Sequence, residues 1–130
     1  MSETNKIEVG TVGWMDLTIE NTEEVRDFYS KVTGWKHQPL SMGEYDDFIM
    51  LAPESEKPIA GVCHARGMNE GLPPQWLIYI TVANLEKSMT LCKESGGKVI
   101  FGPKDAGQHG TFCVIQDPAG AVAGLFENKK

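Results

Sequence analysis

Asp16 stands two residues after Trp14 in "GWMDLTI", and residues two apart on an extended strand share a face. A carboxylate beside an indole on a mostly apolar wall has its charged form disfavoured, which suits an acid, a base or an anchor for a substrate donor. The alternative is a carboxylate hydrogen-bonded to a neighbouring strand or close to solvent. Tyr79 in "WLIYI" shares a face with Leu77 and carries a polar tip, so with Trp14 it could line a small-molecule pocket. Trp76, whose face is ambiguous, reads as packing. His37, His64 and His109 raise a metal hypothesis, yet no HxH or HxxxH spacing joins them. His109, in "DAGQHG", is the one placed to touch a ligand from a loop. Cys63, Cys92 and Cys113 form no CxxC pair and read as buried, unreactive thiols. Cys63 and His64 are adjacent on a strand, so their side chains point to opposite faces.

The elements that position these residues come twice. "IAGV" at residues 59–62 and "VAGL" at 122–125 repeat an Ala-Gly pair 63 residues apart. The same shift carries Met15, Leu17 and Ile19 onto Ile78, Ile80 and Val82, Asn21 onto Asn84, and Gly34 onto Gly97. In the first half, alternation predicts a strand over 14–19, and Asn21 or Thr22 caps a helix with Val25, Phe28, Tyr29 and Val32 on its apolar face. Gly34 closes that helix. Short strands follow at 35–38, 48–52 and 59–64. The second half offers a strand at 77–82, a helix from Asn84 to Gly96 and Gly97, and strands at 98–101, 111–116 and 121–126. One ungapped register then relates two β-α-β-β-β halves, about residues 10–65 and 73–127, within a single domain spanning 1–130. The Gly- and Pro-rich "ARGMNEGLPP" is the linker between them. "GPKDAGQHG", residues 102–110, is either a lid or a plain connection. It matches no phosphate-binding loop, and neither does "SGGKV".

The size, 130 residues and 14.3 kDa, suits one domain with an ordinary core. A formal charge of -6 without any Lys/Arg cluster argues against nucleic acid or an anionic membrane as partner. No apolar run approaches the roughly 20 residues that span a bilayer. The start "MSETNKIEVG" is too polar for a signal peptide, so a cytoplasmic protein is expected.

With "WMDLTI…FYSKVTGW", "WLIYITVANLEKSM…GGKVIFGP" and the closing "DPAGAVAGLFE", the sequence resembles the vicinal oxygen chelate superfamily, which includes glyoxalase I, bleomycin and fosfomycin resistance proteins and extradiol dioxygenases. The resemblance runs from about Gly10 to Glu127. It implies an α+β fold, two tandem βαβββ modules forming curled mixed sheets around a cleft, commonly dimeric. Metal-using members place His, Gln or Glu ligands on the first and last strand of each module. Those positions fall on Trp14, Gly61, Leu77 and Gly124 here, and none can ligate a metal through its side chain. The resemblance is to a glyoxalase-like branch that writes "AG" on these strands.

The leading expectation is therefore a protein without metal or other cofactor that binds a small organic molecule as a homodimer. Trp14, Asp16, Gly61, Tyr79, His109 and Gly124 are its ligand-binding candidates. The alternative is a metal-dependent lyase, isomerase or dioxygenase with relocated ligands such as Asp16, His64 and His109. A third possibility is an accessory domain with a vestigial cleft.

Overall fold

The computed structural model describes residues 6–66 and 69–130. The chain clusters into two compact units, Met15–Trp76 and Leu77–Lys130, the latter with the residues up to Trp14. Of the expected linker, Gly67 and Met68 lie outside the described residues. The first module runs β1 (Val12–Ile19), α1 (Thr22–Thr33), β2 (Lys36–Ser41), β3 (Asp46–Leu51) and β4 (Pro58–His64). The second runs β5 (Trp76–Thr81), α2 (Leu85–Glu94), β6 (Lys98–Asp105), β7 (Gly110–Gln116) and β8 (Val122–Asn128). Both are βαβββ, and the α+β class follows.

In each module the first strand pairs parallel with the last, and the other pairings are antiparallel. The strand orders are β2-β3-β4-β1 and β5-β8-β7-β6. One face of each mixed sheet is covered by its helix. In the first module Phe48, Met50 and Val62 pack with Tyr29, Trp35 and Trp76, and in the second Leu85, Cys113 and Leu125 pack with Ile80, Met89 and Ile115. Trp76 is thus partly buried against the core of the first unit. Its indole N–H donates to the Tyr29 hydroxyl at 3.0 Å, and its ring meets Tyr29 and Trp35 edge-on.

The two helices start differently. Asn84 Oδ1 accepts from Lys87 N at 3.0 Å, and Glu127 Oε1 accepts from Leu85 N at 2.7 Å, so two of the orphan donors of α2 are met by side chains. At α1 the expected cap does not form. Asn21 instead donates to Glu24 Oε1, and the buried Thr22 hydroxyl turns back to Ile19 O at 3.0 Å. Gly34, at φ 83°, closes α1 in the left-handed conformation. The anticipated apolar stripe is only half used. Val25 and Tyr29 are half-buried, but Phe28 and Val32 are exposed because Thr22, with no exposed surface, leads the packed face.

Strand pairing also corrects the ungapped repeat. Asp16 opposes Gly61 and Tyr79 opposes Gly124, which keeps the 63-residue shift, but Ile49 opposes Gly61 where Val114 opposes Gly124. The third strand is therefore displaced by 65 residues, not 63. Register shifts in the β6–β7 ladder, between Val99 and Phe101 and between Phe101 and Lys104, absorb the difference. The segment expected as a long loop at 102–110 is strand through Asp105, leaving a short turn at 106–109.

Candidate functional site

The face of each sheet turned away from its helix carries the residues with chemistry. In the first module, a Cβ built on Gly61 would collide with the Asp16 carboxylate, so Asp16 lies across the backbone of its neighbour in β4. In the second, a Cβ on Gly124 would collide with the Tyr79 ring. The two Ala-Gly pairs thus have one physical cause. Each glycine leaves room for the side chain opposite it on the first strand, the close approach that glycine permits within a strand.

Beyond the glycines the faces diverge. Cys63 follows Gly61 on the same face, and burial raises its thiol pKa well above the usual range, helped by the charges of Asp16 and Asp47 and a hydrogen bond to Asp47. Asp47 is 3% exposed and also accepts from His64 N at 2.8 Å, with His64 Nδ1 3.2 Å from the same oxygen. The corresponding strip of the second module is aromatic. Tyr79 meets Phe112 edge-on at 6.0 Å between centroids, and Phe112 meets Phe101 at 6.2 Å. Strand pairing aligns Asp47 with Phe112 and Cys63 with Phe126. An acid–thiol–acid strip in one module stands where the other has rings.

Asp16 and Gly61 are brought together, as are Tyr79 and Gly124. Trp14 precedes Asp16 on β1 and clusters with the second unit. His109 joins neither group. It stands exposed on the turn, accepting from Lys129 N at 3.1 Å, five residues before the Val114 that pairs with Gly124. That is roughly 16 Å along a strand. His64 lies on the helix side, with Nε2 3.6 Å from Glu23 and its ring against Tyr45. His37 packs its ring on Phe48. Asp47 was missed in the sequence, because "DDF" after a glycine reads as turn punctuation and only the β3–β4 pairing puts it beside Cys63. Phe112 was missed because the ungapped register assigned it the wrong counterpart.

A resident divalent ion does not fit this set of donors. Trp14, Gly61, Leu77 and Gly124 supply no side-chain donor, and the space at both glycines is taken by Asp16 and Tyr79. Among the described residues, no group of three or more His, Cys, Asp or Glu could hold a metal ion. Among the described residues, too, no helix is long and apolar enough to cross a membrane. The cysteines are all free. Cys113 is buried, with its thiol raised to about 11 by burial, while Cys63 and Cys92 are half-buried rather than fully enclosed.

Paired βαβββ modules with an Ala-Gly last strand define the class, and a family model agrees. The model described as the Glyoxalase/Bleomycin resistance protein/Dioxygenase superfamily matches residues 11–123, and the chain belongs to that superfamily. Among individual proteins, it is 27% identical over 128 residues, 98% of the chain, to "Putative glyoxylase CFP32" of Mycobacterium tuberculosis. It is 25% identical over 118 residues, 91% of the chain, to "Anthracycline biosynthesis protein DnrV" of Streptomyces peucetius. Those alignments take in 49% and 42% of the relatives, so the chain spans about half the length of the curated relatives it matches. Among solved structures, the fold is similar to methylmalonyl-CoA epimerase from Mycobacterium tuberculosis, with TM-score 0.55 and 11% identity over 98% of this chain and 96% of that one. A Streptomyces coelicolor methylmalonyl-CoA epimerase variant in complex with 2-nitronate-propionyl-CoA gives TM-score 0.58 and 8% identity over 95% of this chain and all of that one. At such identities the likeness is one of fold.

Proposed function

We propose that the chain is one glyoxalase-like domain that binds a small organic molecule without a metal ion, in the cytoplasm and as a homodimer. Each module offers its own candidate contacts, Asp16 and Gly61 with the neighbouring Trp14 on β1 and β4, and Tyr79 and Gly124 on β5 and β8. His109, on its turn, serves only the outer part of a longer ligand. The observation that carries this reading is that the Asp16 carboxylate lies across Gly61 and the Tyr79 ring across Gly124, the two last-strand positions at which the resemblance implies metal ligands in the superfamily's metal enzymes. Asp16 and Tyr79, with Asp47 and Cys63 beside Asp16, are titratable groups on these faces, so any turnover would be acid–base chemistry. The relocated-ligand alternative has no comparable support, since His64 is engaged by Asp47 and Glu23 and His109 stands on an exposed turn.

A thermal-shift screen of small aromatic and carbonyl compounds, run with and without EDTA, tests the proposal. Stabilisation that survives EDTA and falls about tenfold in affinity in Asp16→Asn or Tyr79→Phe is expected, the size of one lost hydrogen bond to a charged or buried group. A stoichiometric divalent ion in the purified protein, lost on Asp16→Ala or His64→Ala, would overturn it.

A further inference from the structure

The second module holds an open groove of about 520 Å³ on its helix side, away from Tyr79 and Gly124. Leu85, Met89 and Pro103 supply apolar lining, and Glu86, Lys93 and Glu127 supply charge. Its volume falls within the ordinary range of small-molecule sites. The first module shows what that space holds when it is filled. There the counterpart of Glu127, 63 residues earlier, is His64, whose imidazole lies 3.6 Å from Glu23, the counterpart of Glu86. The Tyr45 ring packs on that imidazole at 5.0 Å, and the Arg66 guanidinium covers Tyr45 at 4.1 Å.

At the 65-residue displacement of the third strand, the counterpart of Tyr45, just before β3, is Gly110, the first residue of β7. Gly110 has φ 142°, and a Cβ there would strike the Glu127 carbonyl, so this position brings no ring to the second module. Glu127 brings a carboxylate where His64 brings a ring. The lining then holds Glu86, Glu127 and Lys93; Glu127 already accepts from Leu85 N through Oε1 and faces Lys130 at 3.6 Å through Oε2, so Glu86 is the first carboxylate a ligand cation would meet.

We propose that this groove is a second binding site, for a small aromatic cation such as an aryl amidine or a protonated heteroaromatic amine. The ring lies on Leu85, Met89 and Pro103, where the Met89 thioether favours an aromatic partner. The cationic N–H groups meet Glu86 and Glu127. The site is independent of the one proposed for the opposite face of the same sheet.

The test is an NMR titration of isotope-labelled protein with benzamidine, using benzoate as the anionic control. Saturable shifts at the Met89 methyl and the Thr111 amide, with a dissociation constant on the order of millimolar, are expected for so small a ligand. Benzoate should leave these signals unmoved. Glu86→Gln should weaken binding about threefold, as for an exposed ion pair, and Thr90→Trp on the exposed side of α2 should block it. Unmoved Met89 and Thr111 signals, equal shifts with benzoate, or shifts confined to Tyr79 and Phe112 would overturn the proposal. The last pattern would report the opposite face instead.

Discussion

The first module answers its last-strand glycine with a carboxylate, and the second answers its own with an aromatic ring. The backbone arrangement is the same, parallel first and last strands with the glycine directly opposite. A duplicated frame therefore preserves room for a side chain while leaving its chemistry open. Along the same strip, Asp47 and Cys63 stand where the second module has Phe112 and Phe126, so one face came to hold polar groups and the other apolar ones.

The sharpest way to break the comparison is at Trp76, which closes the core of the first module with Tyr29 and Trp35 and has no aromatic counterpart in the core of the second. Trp76→Ala should cost about 2–3 kcal/mol in urea unfolding, below the range for a fully buried ring because Trp76 is only partly buried. A loss below about 1 kcal/mol would mean that the aromatic trio is not the centre of that core. The glycines come next. A methyl at Gly124 meets the rigid Tyr79 ring at several atoms, whereas at Gly61 it meets only the end of the shorter Asp16 side chain. Gly124→Ala should cost about 2–3 kcal/mol and Gly61→Ala less than about 1 kcal/mol. Equal losses would show that Asp16 is held as firmly as the ring.

The helix starts separate by a smaller margin. Asn84→Ala should cost about 1 kcal/mol and Asn21→Ala close to nothing, because only Asn84 accepts from its helix. The thiols come last. Burial raises Cys63, with Asp16 and Asp47 adding to it, and raises Cys113 to about 11, with Cys92 adding to it. Raised thiol values leave stability untouched at neutral pH and lower it only above about pH 8.5, where the unfolded chain ionises first. Unfolding midpoints should hold steady from pH 6 to 8 and decline toward pH 10, more steeply than in a Cys63→Ser, Cys113→Ser variant. At pH 8, a disulfide reagent should label Cys92 well before the other two.

Much of the fold was legible because it was written twice. Alternation and the recurring Asn, Gly and Ala-Gly marks placed both helices and the first and last strands of both modules. Most strand ends were off by a residue or two, β2 by three and β6 by four at their C-terminal ends. What escaped was long-range. The displacement of β7 depends on shifts in its ladder with β6, and Asp47 acquires its setting only from β4. Asp16 and Tyr79 could be named from their faces, but their position over glycines could not. The N-cap at Asn21 failed because a cap letter says nothing about where Thr22 turns its hydroxyl.

The displacement of β7 has a consequence for how such a chain can vary. Side chains alternate along a strand, so a slip of one residue would have turned Cys113 outward and Phe112 toward the helix, while a slip of two leaves inside and outside unchanged. Length changes in the turn at 106–109 should therefore be inherited in even steps. A single inserted residue there asks the whole strand to trade its faces, and a pair asks only for a longer turn.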